Sequence, residues 1–321
     1  MRDISLASGL RMLPAADRVL LKALIAGALL ALALGLAYGA LTALARAGFV
    51  AFDATNGYRV MTLHGASVFF YWLYLAQAAV LLAFAAVHTG APSIALPRAA
   101  WTGSALLLAG LVANHVGTWL GAPLLYDASP EVVGEMTGPA AVFYLGYLSL
   151  SLGLLLLAIS AIATALRGKV MHGAWNAVAF GMVAWAGLVL VSAVAGLITF
   201  LSPTLWALGL APMPTDYASH WHLLFHNMHY LPLMGTVLIW YALRVRANAN
   251  LRANWWKVLR DPAAFSAGIV LALFALVTAA DSLHFRRALP PPPEAPAGAK
   301  TFYATSTESV LDVLMARQIA M

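Results

Sequence analysis

The chain contains no cysteine. This excludes disulfides, iron–sulfur clusters, thiolate zinc sites and covalent attachment of a c-type heme. Charge is scarce too: Asp, Glu, Lys and Arg make up 9% of 321 residues, against about 25% in an ordinary soluble domain. Hydrophobic residues make up 62%. The apolar runs are far longer than the roughly ten-residue strands of a membrane barrel. Lipid also requires every backbone polar group to be satisfied internally. The expected fold class is therefore all-α, a polytopic transmembrane helix bundle. The net charge of +6 does not imply nucleic acid, because the basic residues fall in short loops, where they set topology in the lipid bilayer. The first eighteen residues lack a cleavable signal pattern, so the first apolar segment is expected to be retained.

About seven spanning helices are expected, over Val19–Ala45, Val60–Val87, Ala99–Leu120, Ala140–Leu166, Ala174–Leu201, His220–Leu243 and Phe265–His284. Residues 1–287 form the transmembrane domain. Residues 288–321 form a Pro-rich linker, with Pro290–Pro293 extended, and a short, mildly amphipathic C-terminal segment, Thr301–Met321, read as a short helix resting on a partner or on the membrane face. Loop charge sets the orientation. Arg2, Arg11, Arg18, Lys22, Arg98, Arg167, Lys169 and the basic run from Arg244 to Arg260 mark the cytoplasmic side. Asp127, Glu131, Glu135 and Asp216 mark the outside, with Arg46 and Arg59 as exceptions there. The expected protein is a multi-pass component of a bacterial-type inner membrane, with a cytoplasmic N-terminus and a C-terminal tail outside. Tyr58, Trp119, Trp206, Trp240, Tyr241, Trp255 and Trp256 read as interface anchors.

The histidines are what this apolar background makes conspicuous. Ionisable side chains in a membrane are costly and usually functional, and imidazole suits iron and copper. In the sixth segment His222, His226 and His229 follow an i, i+4, i+7 spacing and share one helical face, with Tyr230 one turn beyond His226. Counting residues from the outer boundary places His64, His115, His226 and His284 on four helices within roughly 10 Å of it. His88, His172 and His220 read as interfacial, and His115 as a structural hydrogen-bonding residue.

These residues also resemble a known family. Met61-Thr-Leu-His64-Gly65 resembles the second helix of subunit I of the heme–copper oxidases. His226-Asn-Met-His-Tyr230-Leu-Pro-Leu resembles the sixth helix, and Asp281-Ser-Leu-His284-Phe285-Arg286 the end of the seventh. Leu124-Leu-Tyr126 and Phe143-Tyr-Leu-Gly146 are most similar to the B-type branch. The resemblance implies that His64 is an axial ligand of a b-type or a-type heme. It implies that His226 and His284 bind copper and that Tyr230 is the site tyrosine, with His226 and Tyr230 in the catalytic role. Two positions depart from the family pattern: Asn227 stands for its proline, and Phe285 for the second histidine of its copper pair. His229 or His222 would then be the replacement ligand. The helix that carries the family's remaining heme ligands has no counterpart in this sequence.

The resulting expectation is a membrane subunit of a respiratory-type oxidoreductase resembling cytochrome c oxidase subunit I. It would hold heme and copper and pass electrons to dioxygen or nitric oxide. A partner membrane subunit would supply the missing helices, and a periplasmic cytochrome c or cupredoxin would supply electrons. One alternative is a non-catalytic heme-binding or structural anchor of the same fold. The others are a copper-dependent membrane oxygenase subunit and, ranked below it, a metal transporter.

Overall fold

The computed structural model describes residues 6–121, 129–130, 138–173, 175 and 177–246, together with 284–285, 288–289, 302–303 and 308–309. The chain divides into two compact units, Met1–Arg246 and Ala247–Met321. In the first unit the elements are α1 (Leu6–Met12), α2 (Ala15–Arg46), α3 (Ala54–Gly65), a π-helical segment (Ala66–Trp72) and α4 (Leu73–Thr89). They continue with α5 (Pro97–Leu120), α6 (Gly138–His172), α7 (Ala177–Ala207) and α8 (Tyr217–Arg246).

This is the expected all-α membrane bundle, but the number of spans differs. Among the described residues five helices are long and apolar enough to cross a membrane: α2, the continuous rod Ala54–Thr89, α5, α6 and α7 from Val178. The sixth expected segment is helical as α8, yet only Tyr230–Trp240 forms a sustained apolar stretch. The histidines and Asn227 in its first half lower its hydropathy. The seventh expected segment lies outside the described residues except for its last residue, His284.

Helix ends follow local chemistry. The Asp53 side chain accepts a 2.7 Å hydrogen bond from the Asn56 N–H and caps α3. Gly90, at φ 71°, ends α4 in the left-handed conformation that a Cβ disfavours. Pro97 starts α5, where its missing N–H costs nothing. The α4–α5 turn is pinned from two helices. Buried Asp17 of α2 accepts from the Ile94 N–H at 2.8 Å, and Thr164 of α6 accepts from the Ala95 N–H at 2.9 Å.

Small residues set the packing. Along α5, Gly103, Gly110 and Gly117 recur every seven residues. They face Gly153, Gly146 and Pro139 of antiparallel α6, which recur every seven in the opposite sense. A Cβ on Gly110 would sit 2.6 Å from the Gly146 carbonyl oxygen, and one on Gly103 would sit 2.7 Å from the Gly153 oxygen. The two backbones therefore touch, as small-residue seams allow in lipid. On α2 the glycines make room for side chains instead: Gly27 for Leu108 of α5 and Leu75, Gly35 for Val68 and Ser67, and Gly39 for His64. The core is an aromatic stack around Phe70, with Tyr147 at 4.8 Å and Trp221 at 5.8 Å between ring centroids. Trp206, expected as an interface anchor, is buried in this core, whereas Tyr58, Trp119 and Trp240 are exposed. The Tyr241 side chain, Trp255 and Trp256 lie outside the described residues.

In the second unit the described residues are extended. β1 (His284–Phe285) pairs antiparallel with β4 (Glu308–Ser309), and β2 (Ala288–Leu289) pairs with β3 (Phe302–Tyr303). Two expectations are corrected here. His284 does not end a helix, because its backbone is in a strand paired with Ser309. The amphipathic reading of the tail as a short helix also fails at Phe302–Tyr303 and Glu308–Ser309, which form ladders instead. The Pro290–Pro293 run falls in the connection between β2 and β3.

Candidate functional site

His64 stands near the end of α3, on the last turn before the π-helical segment. Its half-buried ring lies against α2. Nδ1 is 2.8 Å from the carbonyl oxygen of Gly35. A carbonyl can only accept, so Nδ1 carries the proton and Nε2 keeps its lone pair. Among the described residues Nε2 has no hydrogen-bond partner. An imidazole that donates one N–H to a carbonyl while its other nitrogen stays open has the arrangement of a metal ligand with its outer-shell support in place.

Two glycines make this geometry possible. A Cβ on Gly39 would sit 2.8 Å from His64 Cε1 and 2.9 Å from Nδ1. A Cβ on Gly35 would collide with Val68 and approach Ser67 Cβ to 3.3 Å. Gly35 and Gly39, four residues apart on α2, form a cradle for the ring. His64 also lines a groove of about 630 Å³ between α2 and the rod, together with Gly39, Thr42, Arg46, Met61 and Phe69. That size lies within the usual range of a cofactor pocket, about 300–1,000 Å³. The residues present would thus hold a heme through a single imidazole, His64.

The π-helical segment that follows is a feature the sequence reading missed. Runs of i→i+5 bonding are rare and are frequent at functional sites. Here the segment changes the azimuth between His64 above it and Tyr74 below it. The signal that was legible, unused, was the Gly35/Gly39 pair at helical spacing opposite a histidine.

His115 is engaged at both ring nitrogens. Nδ1 lies 2.8 Å from the Leu111 carbonyl oxygen, and Nε2 lies 3.3 Å from Ser67 Oγ. It is the structural hydrogen-bonding residue expected from sequence. Beside it, Tyr71 donates to Asn114 Oδ1, and Asn114 Nδ2 donates to the Phe143 carbonyl at 2.7 Å. This network ties the rod to α5 and α6. His172 is exposed and bonds the Gly90 carbonyl at 3.1 Å, which fits its expected interfacial role.

The α8 histidines occupy a different place. The buried residues Tyr217, Leu224, Met228, Leu231 and Leu238 define the packed face of α8. Helical register puts positions 222, 226 and 229 on the opposite face, as the i, i+4, i+7 spacing anticipated. His222 is exposed, and Tyr230 on that side is 48% exposed. The side chains of His226 and His229 lie outside the described residues. One ion can be held by neighbours at i, i+4 or i, i+3, but positions seven apart are roughly 10 Å apart along the axis. Among the described residues no group of three His, Cys, Asp or Glu side chains is placed to hold a metal ion.

The expected common depth is also loosened. α8 runs in the same direction as the rod, and Trp221 is level with Phe70, six residues past His64. His226 is five residues further, so its backbone lies roughly 15 Å deeper than that of His64. His284 belongs to the second unit. The geometry therefore brings His64, His115 and Ser67 into one region and sets the α8 histidines apart from it.

Comparison of the chain with protein-family models, with curated proteins and with solved structures finds no match.

Proposed function

We propose that this chain is a membrane subunit of a respiratory-type oxidoreductase that holds a heme through His64. The observation that carries the reading is the His64 ring itself, with Nδ1–H fixed by the Gly35 carbonyl and Nε2 unpartnered in a groove of cofactor size. An iron porphyrin bound there would supply one-electron transfer. The chain's own residues do the rest. Gly35 selects the tautomer, Gly39 leaves room for the ring, and the α2–rod contact holds the imidazole against rotation. A partner membrane subunit would supply the remaining protein ligand of a heme held by His64. It also supplies the position at which dioxygen or nitric oxide is reduced, and a periplasmic cytochrome c or cupredoxin is the donor. Copper at the α8 face, with Tyr230 beside it, belongs to the same proposal and rests on helical register.

A second reading is favoured by one observation. No group of three potential ligands comes together among the described residues. On that reading the chain is a heme-bearing or structural anchor with no oxygen chemistry of its own.

The test is purification of the intact membrane complex, followed by optical spectroscopy and metal analysis of wild type and His64→Ala. The reading expects a low-spin heme band that is lost in the variant. Heme with stoichiometric copper supports the catalytic form, and heme without copper supports the anchor. A complex without heme, or an unchanged band in His64→Ala, overturns the assignment of His64.

A further inference from the structure

One face of α2 changes character along its length. Arg18, Lys22, Ile25, Leu29 and Leu36 follow i, i+4, i+7, i+11, i+18 spacing, so they form a single stripe. All five are exposed, the three apolar ones at 51%, 59% and 61%. The stripe therefore faces away from the bundle, with two cations at one end and aliphatic side chains along the rest. Ile25 and Leu29 stand roughly 5–10 Å beyond Lys22, toward the hydrocarbon of the bilayer. A third exposed cation, Arg11, belongs to the same end, because Arg18 Nη1 donates to the Arg11 carbonyl oxygen at 3.0 Å. These charges are uncompensated. Among the described residues Arg11, Arg18 and Lys22 form no ion pair. The neighbouring acid, Asp17, is buried, and its carboxylate accepts from the Ile94 N–H instead. The Ncap residue of α2, Pro14, makes no side-chain cap bond, so the positive end of the helix dipole adds to the same field. Cations are least favoured at a helix N-terminus, yet two stand in the first eight residues of α2. Elsewhere basic side chains have partners within the chain: Arg167 donates to Ser93 Oγ at 3.1 Å, and Lys169 lies 4.7 Å over the Trp175 ring.

We infer that this stripe binds one anionic phospholipid. Arg18 and Lys22 hold its phosphodiester, with Arg11 beside them, and an acyl chain lies along Ile25 and Leu29. The inference does not depend on the reading of His64. A phospholipid is amphipathic in the same sense as the stripe, with an anionic head and an aliphatic tail in line. Guanidinium and ammonium groups both bind phosphate, and Lys and Arg near a membrane surface attract anionic lipid. The anion offsets the two cations at the start of α2 and takes the place of the acid that the first turn spends on Ile94. The ordinary use of such residues is diffuse attraction to headgroups or extension of the charged tip into water. The test below separates that use from a site.

The experiment uses the full chain as purified from the membrane, stripped of lipid in detergent and followed by native mass spectrometry. Dioleoyl phosphatidylglycerol, dioleoyl phosphatidylcholine and inorganic phosphate are the probes. Wild type is compared with Arg18→Gln, Lys22→Gln, the two combined, and Lys169→Gln, which removes the same charge from a different helix. Wild type is expected to bind one phosphatidylglycerol more tightly than phosphatidylcholine. Each of Arg18→Gln and Lys22→Gln is expected to weaken that binding roughly fivefold, and the pair roughly twenty-fivefold, the scale of one surface cation acting on anionic lipid. Phosphatidylcholine binding stays the same in all variants, and Lys169→Gln behaves as wild type. An equal loss in Lys169→Gln makes the attraction diffuse and overturns the inference. Phosphatidylglycerol bound no more tightly than phosphatidylcholine overturns it too. Inorganic phosphate that displaces phosphatidylglycerol at equal concentration shows an anion site without acyl contact, and the lipid assignment then falls. Should Arg18→Gln fail to fold, Lys22→Gln decides alone, because its side chain bonds nothing among the described residues.

Discussion

Replacing Gly39 by alanine tests the cradle directly. The added Cβ would lie 2.8 Å from His64 Cε1 and 2.9 Å from Nδ1. Carbon atoms in good contact stand about 3.5–4.0 Å apart, so the ring must retreat by roughly 1 Å. Retreat stretches the 2.8 Å bond to the Gly35 carbonyl toward the distance at which it ceases to be a hydrogen bond. Gly35 cannot follow, because Ser67 and Val68 already press against it. Overpacking costs about 1–3 kcal/mol and the lost bond about 0.5–1.5 kcal/mol. Since His64 is only half-buried, the lower part of that range applies, about 2 kcal/mol in total. For a unit of this size that lowers the melting temperature by roughly 4–8 °C. Loss of an outer-shell partner also weakens a metal ligand about 10–100-fold. Both are measurable on one detergent-purified sample, by thermal unfolding and by heme retention. Gly187→Ala is the control, because nothing lies within 4 Å of its added Cβ. If Gly39→Ala melts and holds heme like Gly187→Ala, the α2 glycines do not position His64 and the argument fails.

Other outcomes follow from the same contacts. Gly110→Ala forces the α5 and α6 backbones apart and should lower thermal stability by about 2–3 kcal/mol, more than a substitution that meets only a movable side chain. Asn114→Ala strands the Tyr71 hydroxyl and the Phe143 carbonyl and should cost about 2–4 kcal/mol. In a double-mutant cycle with Tyr71→Phe, additive losses would show that the two residues do not interact. His115→Gln should leave heme content unchanged, because both ring nitrogens are already bonded within the protein. Loss of the heme band in that variant would make His115 a ligand and contradict the hydrogen bonding described above.

The composition and the length of the apolar runs settled what kind of molecule this is. A chain with 62% hydrophobic residues and 9% charge has no soluble alternative, and lipid permits few backbone solutions. The five apolar helices from α2 to α7 fall where hydropathy puts them, because a spanning helix satisfies its own backbone and needs no partner to form. The face shared by positions 222, 226 and 229 was equally legible, since it depends only on helical period. What the one-dimensional pattern left open was everything set between helices. Counting residues from a presumed boundary put His64 and His226 at one depth; the Phe70–Trp221 contact separates them, because side-chain packing fixes where one helix slides to rest against another. Trp206 looked like an interface anchor and is buried, because it packs into the hydrophobic core. His64 and His115 were both membrane histidines in the sequence. Only the packing of α2 and α5 against the rod gave one an open nitrogen and the other none. The bonds from His64 to Gly35 and from His115 to Ser67 join residues 29 and 48 positions apart, which local periodicity does not encode.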